Sequence, residues 1–593
     1  MKSISHPWFH DTVSALAYSI AADSPEALPP FNDVTRFILE QHARMPDYLR
    51  APMVAATMGF DTAGLVRGKF FHQQDPSSRR RQIAAWKHAG GSFQRDLVRY
   101  FESLAAFALH SRQRPVAQAV ELSGKNVIDD PRGVPRAEIV VIGSGPGGAI
   151  TACLLAEHGH DVLLVEDGPF LPLQSCEPFS RDEMTQKYRN GGQTVALGKN
   201  KISYVEGRCV GGGSEINSAL YHRTPPEILE RWRKEFRVDG LSEIDLRPHF
   251  EACERDVSVS PLPCPAPAAS LKLHEGAVRL GWKSVEVPRW FRYDDQSPAG
   301  RRQSMTETFI PRFLRAGGKI LPHTRVEHLR QDGTRWVLSA RHHGTNRIRI
   351  AAETVFLCAG AVQSPLILRR SGITANVGDS LQVHPTVKMI ARFPETVNAA
   401  DMGVPVHQVK EFSPRLGFGC SISGLPHLAL GMLDHPHTAS LPDEWQRMAI
   451  YYAMITSEGA GTVRPIPGAR DPLVRYALTD NDRSNLADGF QKLGRILFEA
   501  GATELYPVLA GGVPLRGNDD LGRLPQIIAD GTANLMTIHL FSSCPMGENR
   551  ERCAADSFGR VYGFNNLFLN DASLLCSAPG VNPQGSIMAI ARR

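Results

Sequence analysis

The segment EIVVIGSGPGGAITACLLAEHGHDVLLVE, residues 138–166, constrains the fold more than any other part of the sequence. A short apolar strand over Ile139–Ile142 leads into the pattern Gly143-x-Gly145-x-x-Gly148 and then into a helical pattern. Gly143 permits a tight turn, Gly145 lets a pyrophosphate approach the backbone, and Gly148 lets the helix pack closely on the strand. This order of elements predicts a βαβ unit that holds the phosphates of a dinucleotide at a helix N-terminus.

A second predicted strand, Asp161–Val165, ends in Glu166. A carboxylate at this position accepts a hydrogen bond from a ribose hydroxyl and repels a 2′-phosphate, so NADP is disfavoured. NAD and FAD are both bound by this fold, and the fingerprint alone leaves the two open. The segments that follow it must therefore identify the nucleotide.

About a quarter of the chain precedes this unit, and residues 1 to about 110 are predicted to be helical. Ser92 is predicted to cap a helix whose apolar face repeats at a helical period and carries Phe93, Leu97, Phe101, Leu104 and Ala108. Asn32 or Asp33 is predicted to cap an earlier helix. Residues 111–137 are polar, contain three prolines and are predicted to be a linker.

The middle of the sequence is predicted to be rich in β-structure. Residues 461–480 have the pattern of two strands joined through a turn, and a helical pattern follows and ends at Gly501. Residues 257–270 read as a proline-rich loop.

Composition excludes several classes of function. The formal net charge of +5 is small for 593 residues, and no basic block is interleaved with aromatic residues, so nucleic-acid binding is not expected. The ten cysteines form no CxxC pair and no cluster with histidines, so neither a metal site nor a disulfide scaffold is expected. That cysteine usage favours a reducing, cytoplasmic location. No apolar run reaches the roughly 18 residues that a transmembrane segment needs.

Five further segments are rich in glycine and small residues. Residues 207–223, GRCVGGGSEINSALYHR, contain three successive glycines that admit a flat ring or a phosphate against the backbone. The other four are AAETVFLCAGAVQSPLILRRSGI at 351–373, HLFSSCPMG at 539–547, RVYGFNNLFLNDASLL at 560–575 and GVNPQGSIMAIA at 580–591.

Together, and in this order, these motifs resemble those of the glucose–methanol–choline (GMC) flavoprotein oxidoreductases, from residue 136 to the end of the chain. The resemblance implies FAD as the cofactor. It implies that FAD is held by Gly143, Ser144, Gly145, Pro146, Gly147, Gly148, Glu166, Gly212, Gly213, Asn217, Ser218, Val326, Asp571, Ala572, Asn582 and Pro583.

The resemblance also implies the fold class. We expect an α/β protein with a Rossmann-like FAD-binding domain, a discontinuous α+β substrate domain built on an antiparallel sheet, and an all-α N-terminal extension. The expected boundaries are 1–130 for the extension and linker, 131–235, 308–380 and 528–593 for the FAD-binding domain, and 236–307 and 381–527 for the substrate domain.

Within the family, GGGSEIN, residues 456–464 and the N-terminal extension are similar to the bacterial branch around long-chain alcohol and cholesterol oxidases. The extension could cover the substrate entrance, mediate homo-oligomerisation or dock the protein on a membrane. The sequence does not choose among these roles.

Two features depart from the family pattern. The family usually has Gly-Thr where this chain has Ser542-Ser543, which predicts a different shape for the loop behind His539. The sequence also stops at Arg593, where relatives often continue a final helix.

The resemblance assigns the chemistry to two residues. Hydride loss from an alcohol carbon requires removal of the hydroxyl proton, and a neutral histidine can accept that proton. His539 lies where the family keeps this base, and the Asn582 amide can donate to the oxygen as negative charge develops on it. Hydride would pass to flavin N5. The reduction rate is expected to rise with pH through the ionisation of His539, whereas His384 is expected only to shape the sheet.

The substrate is expected to be a small, apolar or aryl alcohol. This expectation rests on a pocket segment, residues 381–460, that contains Met402, Phe412, Phe418, Leu425 and Leu430. Oxygen, a quinone or a cytochrome could accept the electrons.

Other functions remain as alternatives. The resemblance extends to flavoproteins that do non-redox or photochemical work, namely lyases and decarboxylases. A specialised biosynthetic oxidation is a further alternative. A silent FAD-stabilised binding protein is disfavoured because His539 and Asn582 are both present. A nicotinamide-dependent reductase is disfavoured by the flavin motifs.

Overall fold

The computed structural model describes residues 7–21, 31–111, 121–131, 136–294, 297–435, 440–509, 511–529 and 531–593. Its α-helices are α1 (Pro7–Ala21), α2 (Phe31–Arg44), α3 (Asp47–Thr62), α4 (Pro76–Lys87), α5 (Ser92–His110), α6 (Pro146–Glu157), α7 (Arg181–Lys187), α8 (Pro226–Phe236), α9 (Glu243–Asp256), α10 (Ala268–Arg279), α11 (Phe309–Arg315), α12 (Gly360–Arg370), α13 (Leu425–Met432), α14 (Leu441–Glu444), α15 (Asp480–Glu499), α16 (Leu524–Ala529) and α17 (Gln584–Arg592).

The strands are β1 (Arg136–Ile142), β2 (Val162–Val165), β3 (Thr194–Ala196), β4 (Ile202–Tyr204), β5 (Val259–Ser260), β6 (Ser284–Glu286), β7 (Arg289–Asp294), β8 (Ser297–Arg302), β9 (Lys319–Leu321), β10 (Thr324–Asp332), β11 (Arg335–His342), β12 (Asn346–Leu357), β13 (Gln382–Val383), β14 (Thr386–Arg392), β15 (His407–Val409), β16 (Leu416–Cys420), β17 (Met448–Ile455), β18 (Ala460–Arg464), β19 (Leu473–Ala477), β20 (Glu504–Pro507), β21 (Leu535–Thr537), β22 (Leu540–Phe541) and β23 (Leu567–Leu569).

A seven-stranded sheet contains the predicted βαβ unit. Its order is β10-β11-β12-β1-β2-β9, with β23 beside β12, and β1 pairs in parallel with both β12 and β2. All four residues of β2 are buried, as are the last four of β1. Strands that are covered on both faces have continuous apolar sequences, as these two strands do. The Rossmann-like architecture predicted from the sequence is confirmed.

A nine-stranded sheet forms the second layer and is mostly antiparallel. Its order is β3-β4-β21-β14-β17-β16-β15-β6, with β20 beside β14. Helices α10 and α15 pack on one face of it, where the Tyr451 hydroxyl donates to the Ala269 carbonyl of α10. Because side chains alternate along a strand, Tyr452 points to the other face, toward the cavity described below. The expected antiparallel sheet is confirmed.

The hydrophobic core links α9 to the nucleotide-binding layer. This helix packs against α17, and its Leu246 and Phe250 belong to the same buried cluster as β1 and β2. The division of the chain into domains at residues 235 and 307 stays a prediction.

The predicted strand pair over residues 461–480 is present as antiparallel β18 and β19. The helix that follows is α15, whose first turn is capped by the Thr479 side chain. Gly501 comes just after its end with a φ of 91°, in the left-handed region that favours glycine.

Helices α1 to α5 form the predicted all-α layer around a core of their own. On α5, the predicted apolar face is buried except for Phe93, which is 60% exposed. The helix starts at Ser92 itself, with Gly91 in the capping position, so the predicted Ser92 cap is wrong. Asn32 and Asp33 likewise lie inside the first turn of α2.

The N-terminal layer is docked on the rest of the molecule through α5 and α13. The Phe107 ring of α5 meets the His427 ring of α13 edge-on, with centroids 5.8 Å apart. Beside this contact, Asp434 forms ion pairs with Arg99 at 2.7 Å and with Lys87 at 3.4 Å. The layer is therefore packed against the rest of the molecule.

Part of the predicted linker is fixed to the nucleotide-binding sheet. The Ile128 amide donates to the Ile320 carbonyl of β9 at 2.9 Å, and the Asn126 side chain donates to the Leu314 carbonyl. Residues 121–131 thus follow the edge strand, where unpaired backbone groups are available. The remainder of the predicted linker lies in part outside the described residues.

Replacing Asp434 with alanine should destabilise the docked layer, because Arg99 and Lys87 lose a counter-charge whose side chain is only 9% exposed. We expect a cost of about 1–3 kcal/mol, between the values for exposed and buried ion pairs. Thermal unfolding would measure it. Asp480→Ala removes an ion pair in which the aspartate is 98% exposed and should leave the midpoint unchanged. Equal midpoints for both variants would show that Asp434 does not hold the layer.

Candidate active site

A cavity of about 510 Å³ is lined by residues of both large sheets. Of the sixteen residues predicted to hold the cofactor, Gly148 alone does not line it. The fifteen that do line the cavity are Gly143, Ser144, Gly145, Pro146, Gly147, Glu166, Gly212, Gly213, Asn217, Ser218, Val326, Asp571, Ala572, Asn582 and Pro583. The predicted base, His539, lines it as well. The structure therefore gathers in one place segments that are far apart in the sequence.

The glycines of the first turn fall into two kinds. A Cβ on Gly143 would lie 2.4 Å from the Cys358 carbonyl oxygen, and one on Gly148 would lie 1.9 Å from that of Gly143. Gly143 also has a φ of 97°, which favours glycine. A Cβ on Gly145, in contrast, would meet no protein atom within 4 Å and would project into open space. Packing requires glycine at positions 143 and 148, whereas Gly145 leaves room for a ligand.

Glu166 connects the two glycine-rich turns. Its buried carboxylate accepts hydrogen bonds from the Ser144 amide at 3.1 Å and the Ser144 hydroxyl at 2.7 Å, and from the Gly168 amide at 2.8 Å. The Ser144 hydroxyl in turn accepts from the Gly211 amide at 3.1 Å. Burial raises the pKa of Glu166. A carboxylate has about four acceptor positions, so one remains for a ribose hydroxyl.

Asp571, at the end of β23, connects two other motifs. Its carboxylate accepts from the Gly360 amide at 2.8 Å, the Ser364 hydroxyl at 2.5 Å and the Ser573 amide at 2.7 Å. Burial raises its pKa against the effect of these donors. The loop after β12 and the loop after β23 are thus fixed to each other at the cavity wall.

His539 lies between β21 and β22 and contacts a second buried histidine. Its Nδ1 is 3.1 Å from Nδ1 of His384, and the Nε2 of His384 accepts the Gly580 amide hydrogen at 3.1 Å. Burial, together with the Lys410 charge, lowers the pKa of His539 to about 3. Burial also lowers the pKa of His384 well below its usual range. Both imidazoles are therefore neutral at physiological pH.

Asn582 lies on the other side of the His539 ring. Its Nδ2 is 3.5 Å from Nε2 of His539, and its Oδ1 accepts from Nε2 of Gln408 at 3.3 Å. The same Gln408 nitrogen is 3.2 Å from the Tyr452 hydroxyl, and the Gln408 oxygen is 3.0 Å from Nε2 of His222. Gln408 thus fixes the position of the Asn582 amide at the cavity.

The loop behind His539 keeps the backbone shape that glycine favours, although a serine occupies the position. Ser542 has a φ of 65°, in the left-handed region, and its amide donates to the Ala572 carbonyl at 3.1 Å. The buried hydroxyls of Ser542 and Ser543 find no hydrogen-bond partner within the described part of the chain. Serine in place of the family's glycine at position 542 therefore adds local strain and one buried hydroxyl without a partner.

The five apolar residues predicted to form the substrate pocket do not line the cavity. Met402, Phe412 and Phe418 pack in the core under the nine-stranded sheet, while Leu425 and Leu430 pack toward the N-terminal layer. From this segment the cavity is lined instead by Thr386, Lys388, Val404, Pro405, Cys420, Ser421, Ile422, His427, Tyr452 and Met454. The alternation along β14 and β17 is a signal that could have identified some of them.

Sequence reasoning also missed the neighbours of the predicted base. His384 contacts His539, whereas it was expected only to shape the sheet. Gln408 lies in no quoted motif, and His222 lies in the 207–223 segment but was given no role. Over the described ranges, no group of three or more His, Cys, Asp or Glu side chains is arranged to hold a metal ion. None of the helices in the described part of the chain has the length and apolar character needed to cross a bilayer.

Comparison with known families identifies the class of protein. Two models described as GMC oxidoreductase match residues 184–386 and 459–591, and a model described as an NAD(P)-binding Rossmann-like domain matches residues 141–178. The chain belongs to the GMC oxidoreductase family. It is an FAD-dependent oxidoreductase that acts on CH–OH donors.

Similar proteins occur in bacteria and plants. GMC-type oxidoreductase y4nJ of Sinorhizobium fredii is 38% identical over 471 residues, which cover 77% of this chain and 93% of that protein. Rv0492c of Mycobacterium tuberculosis, also a GMC-type oxidoreductase, is 30% identical over 83% of this chain and 79% of its own. Long-chain-alcohol oxidase FAO3 of Arabidopsis thaliana is 26% identical over 77% of this chain and 67% of its own.

Two solved structures have a similar fold. Pyridoxine 4-oxidase from Mesorbium loti aligns with a TM-score of 0.59 and 18% identity over 77% of this chain and 98% of its own. Formate oxidase of Aspergillus oryzae aligns with a TM-score of 0.60 and 14% identity over 77% of this chain and 97% of its own. At these identities the likeness establishes the fold.

Replacing Gly145 with leucine should abolish FAD binding while the protein stays folded, because the new side chain fills open cavity space and meets no protein atom within 4 Å. Flavin content after purification and thermal unfolding would measure the two effects. Gly148→Leu is the matched control, because its Cβ would collide with the Gly143 carbonyl and disrupt folding itself. Normal flavin content in Gly145→Leu would contradict the assignment of the turn.

Replacing Ser542 with glycine should stabilise the protein. The change removes a left-handed non-glycine residue, which costs roughly 1–2 kcal/mol, and a buried unsatisfied hydroxyl. Glycine's extra backbone entropy offsets about 0.5–1 kcal/mol of the gain. A higher midpoint of thermal unfolding would confirm the strain. Ser543→Gly removes a buried hydroxyl but relieves no positive φ, so its gain should be smaller than that of Ser542→Gly by the cost of the strained backbone. A midpoint for Ser542→Gly no higher than that of Ser543→Gly would contradict the interpretation.

Proposed function

We propose that this protein oxidises the CH–OH group of a small alcohol with a largely apolar body, with His539 accepting the hydroxyl proton and Asn582 donating to the same oxygen. The observation that carries the proposal is the position of the His539 imidazole and the Asn582 amide. Their nitrogens are 3.5 Å apart at the wall of the cavity that the glycine-rich turns also line. One substrate oxygen can contact both groups.

The residues around the cavity fit FAD. Gly145 and Gly213 leave open space toward the cavity, since a Cβ on either would meet no protein atom within 4 Å. Glu166 and Asp571 would hold the nucleotide and fix the loops around it. When bound, FAD supplies the hydride acceptor that alcohol oxidation requires.

His539 can act as a base only from one tautomer. To accept a proton at Nε2, its own proton must be on Nδ1 and must be donated to Nδ1 of His384, 3.1 Å away. A neutral imidazole has one acceptor nitrogen, so His384 cannot accept from His539 and from the Gly580 amide together. The base-competent tautomer therefore gives up the Gly580 hydrogen bond, at a cost of about 1–3 kcal/mol for a buried amide.

Asn582 is suited to the oxyanion role because it stays neutral and is held in place. Its carbonyl oxygen is occupied by Gln408, which leaves the amide hydrogens to face the cavity. A donor fixed in advance stabilises charge as it develops and needs no reorganisation during the reaction.

The His539→Ala variant should retain FAD but reduce it with alcohol at least ~10²-fold more slowly, the usual size of a general-base contribution. Asn582→Ala should cost ~10²–10³-fold in the same step. The two losses should not add fully, because both groups act on one oxygen. Anaerobic stopped-flow measurement of flavin reduction by an alcohol panel, followed by exposure to air, would give the rates and test oxygen as the acceptor.

The exposed His158→Ala is the control and should react at the wild-type rate. Because the pKa of His539 is about 3, this residue is already neutral at pH 5, and its ionisation should leave the reduction rate flat from pH 5 upward. The sequence had suggested that the reduction rate rises with pH through the ionisation of His539. A wild-type rate in His539→Ala would mean that the base lies elsewhere. Bound FAD that no alcohol reduces would favour the lyase or decarboxylase alternatives.

A further inference from the structure

One positive charge in the cavity is left without a counter-charge. Three lysine or arginine side chains line it: Arg189, Arg325 and Lys388. Arg189 pairs with Asp167 at 2.8 Å, and Arg325 pairs with Asp471 at 3.5 Å. Within the described ranges, the Lys388 ammonium has neither a hydrogen-bond acceptor nor an ion-pair partner.

None of the acidic residues that line the cavity forms an ion pair with Lys388. The carboxylates of Glu166 and Asp571 accept from the loops that they fix. Asp167 pairs with Arg189, and Glu206 lies 3.9 Å from the same guanidinium. All four belong to the part of the cavity that is lined by the nucleotide-binding turns and their neighbours.

Lys388 lies at the end of the cavity where the reaction is proposed to occur. It is on β14, directly opposite Tyr452 of β17, and both side chains point to the cavity. The Tyr452 hydroxyl is 3.2 Å from Nε2 of Gln408, and that nitrogen is 3.3 Å from Oδ1 of Asn582. The cation is therefore on the sheet that faces the proposed oxyanion donor.

The groups around Lys388 are neutral at physiological pH. Burial lowers the pKa of Lys388 to about 8, so the protonated form still predominates at pH 7. Burial, together with the Lys388 charge, lowers the pKa of His427 on α13 to about 4. Burial raises the pKa of Tyr452 to about 12 and that of the Cys420 thiol on β16 above its usual range. An isolated buried cation is costly, and an anion brought in from outside would offset that cost.

We propose that Lys388 binds a carboxylate of the substrate, which makes the substrate a hydroxy acid with an apolar body between its alcohol and its acid group. This inference rests on the proposed function, because it assumes that an alcohol occupies the cavity. The apolar body would contact Val404, Ile422, Met454, Met536 and Ile538, which line the cavity. Lys388 would then determine specificity without taking part in the chemistry.

The test compares matched pairs of alcohols that differ only in the acid group. We would measure flavin reduction by 4-(hydroxymethyl)benzoate and its methyl ester, and by 6-hydroxyhexanoate and its methyl ester. In the Lys388→Met variant, half-saturation for the acids should rise at least ~30-fold, as expected for loss of one partner of a buried charge pair, while the esters change little. Lys388→Arg keeps the charge and should retain most of the preference for acids.

Lys410→Met is the matched control. Lys410 is also a partly buried lysine whose charge acts on His539, but it does not line the cavity. Its loss should therefore change the rates for acid and ester alike and leave their ratio unaltered. A preference for acids that survives in Lys388→Met, or wild-type protein that treats acid and ester equally, would overturn the inference.

A binding experiment separates this inference from the proposed function. Titration with 4-methylbenzoate and hexanoate, which carry no hydroxyl group, should perturb the flavin spectrum of the wild type. The dissociation constant obtained from that change should be at least ~30-fold higher in Lys388→Met. Carboxylate binding through Lys388 without reduction by any alcohol would refute the proposed oxidation and leave the anion site standing. Reduction by neutral alcohols, with carboxylates bound equally by the wild type and Lys388→Met, would support the proposed oxidation and refute the anion site.

Discussion

The structure depends on close backbone contact where three parallel strands end. Beyond β1, the Cα of Gly143 lies so near the Cys358 carbonyl, after β12, that a Cβ would approach it to 2.4 Å. On Gly147 a Cβ would lie 2.0 Å from the Asn570 carbonyl, after β23. Because no side chain separates these backbones, the start of α6 and the loops carrying Gly360 and Asp571 converge on one cavity. The hydrogen bonds of Asp571 then fix this convergence.

Burial of ionisable groups is the second constraint on the site. His539 and His384 are neutral because the desolvation cost of an imidazolium exceeds the stabilisation that neighbouring groups give to the charged form. A base with so low a pKa can hold a proton only while negative charge lies beside it. In the proposed mechanism, proton removal is therefore coupled to charge developing on the substrate oxygen, and Asn582 would stabilise that same charge. The two residues would then act as one functional unit.

Local sequence patterns predicted the parts of the fold that local chemistry determines. Glycine spacing and an apolar strand were enough for the βαβ unit, and helical periodicity ending at Gly501 was enough to predict α15. The expected lining of the substrate pocket was wrong because it depends on which strands pair. Lys388 faces the cavity only because β14 lies between β17 and β21 in a given register. The contact between His384 and His539 likewise joins residues 155 positions apart. Phe93 has the right period for a buried face but lies one turn beyond the layer's core.

The contact between Phe107 and His427 has a consequence for how this protein can be altered. His427 lines the cavity, so one wall of the chamber is supported by a helix that precedes the nucleotide-binding unit in the chain. Helices α5 and α13 therefore pack as a pair beside the cavity. A chimera that exchanged the N-terminal layer but kept α13 would change the surface on which Leu430 packs and would leave the His427 ring without the Phe107 ring beside it. Substrate preference would then be inherited with the pair of helices and not with the flavin-binding core alone.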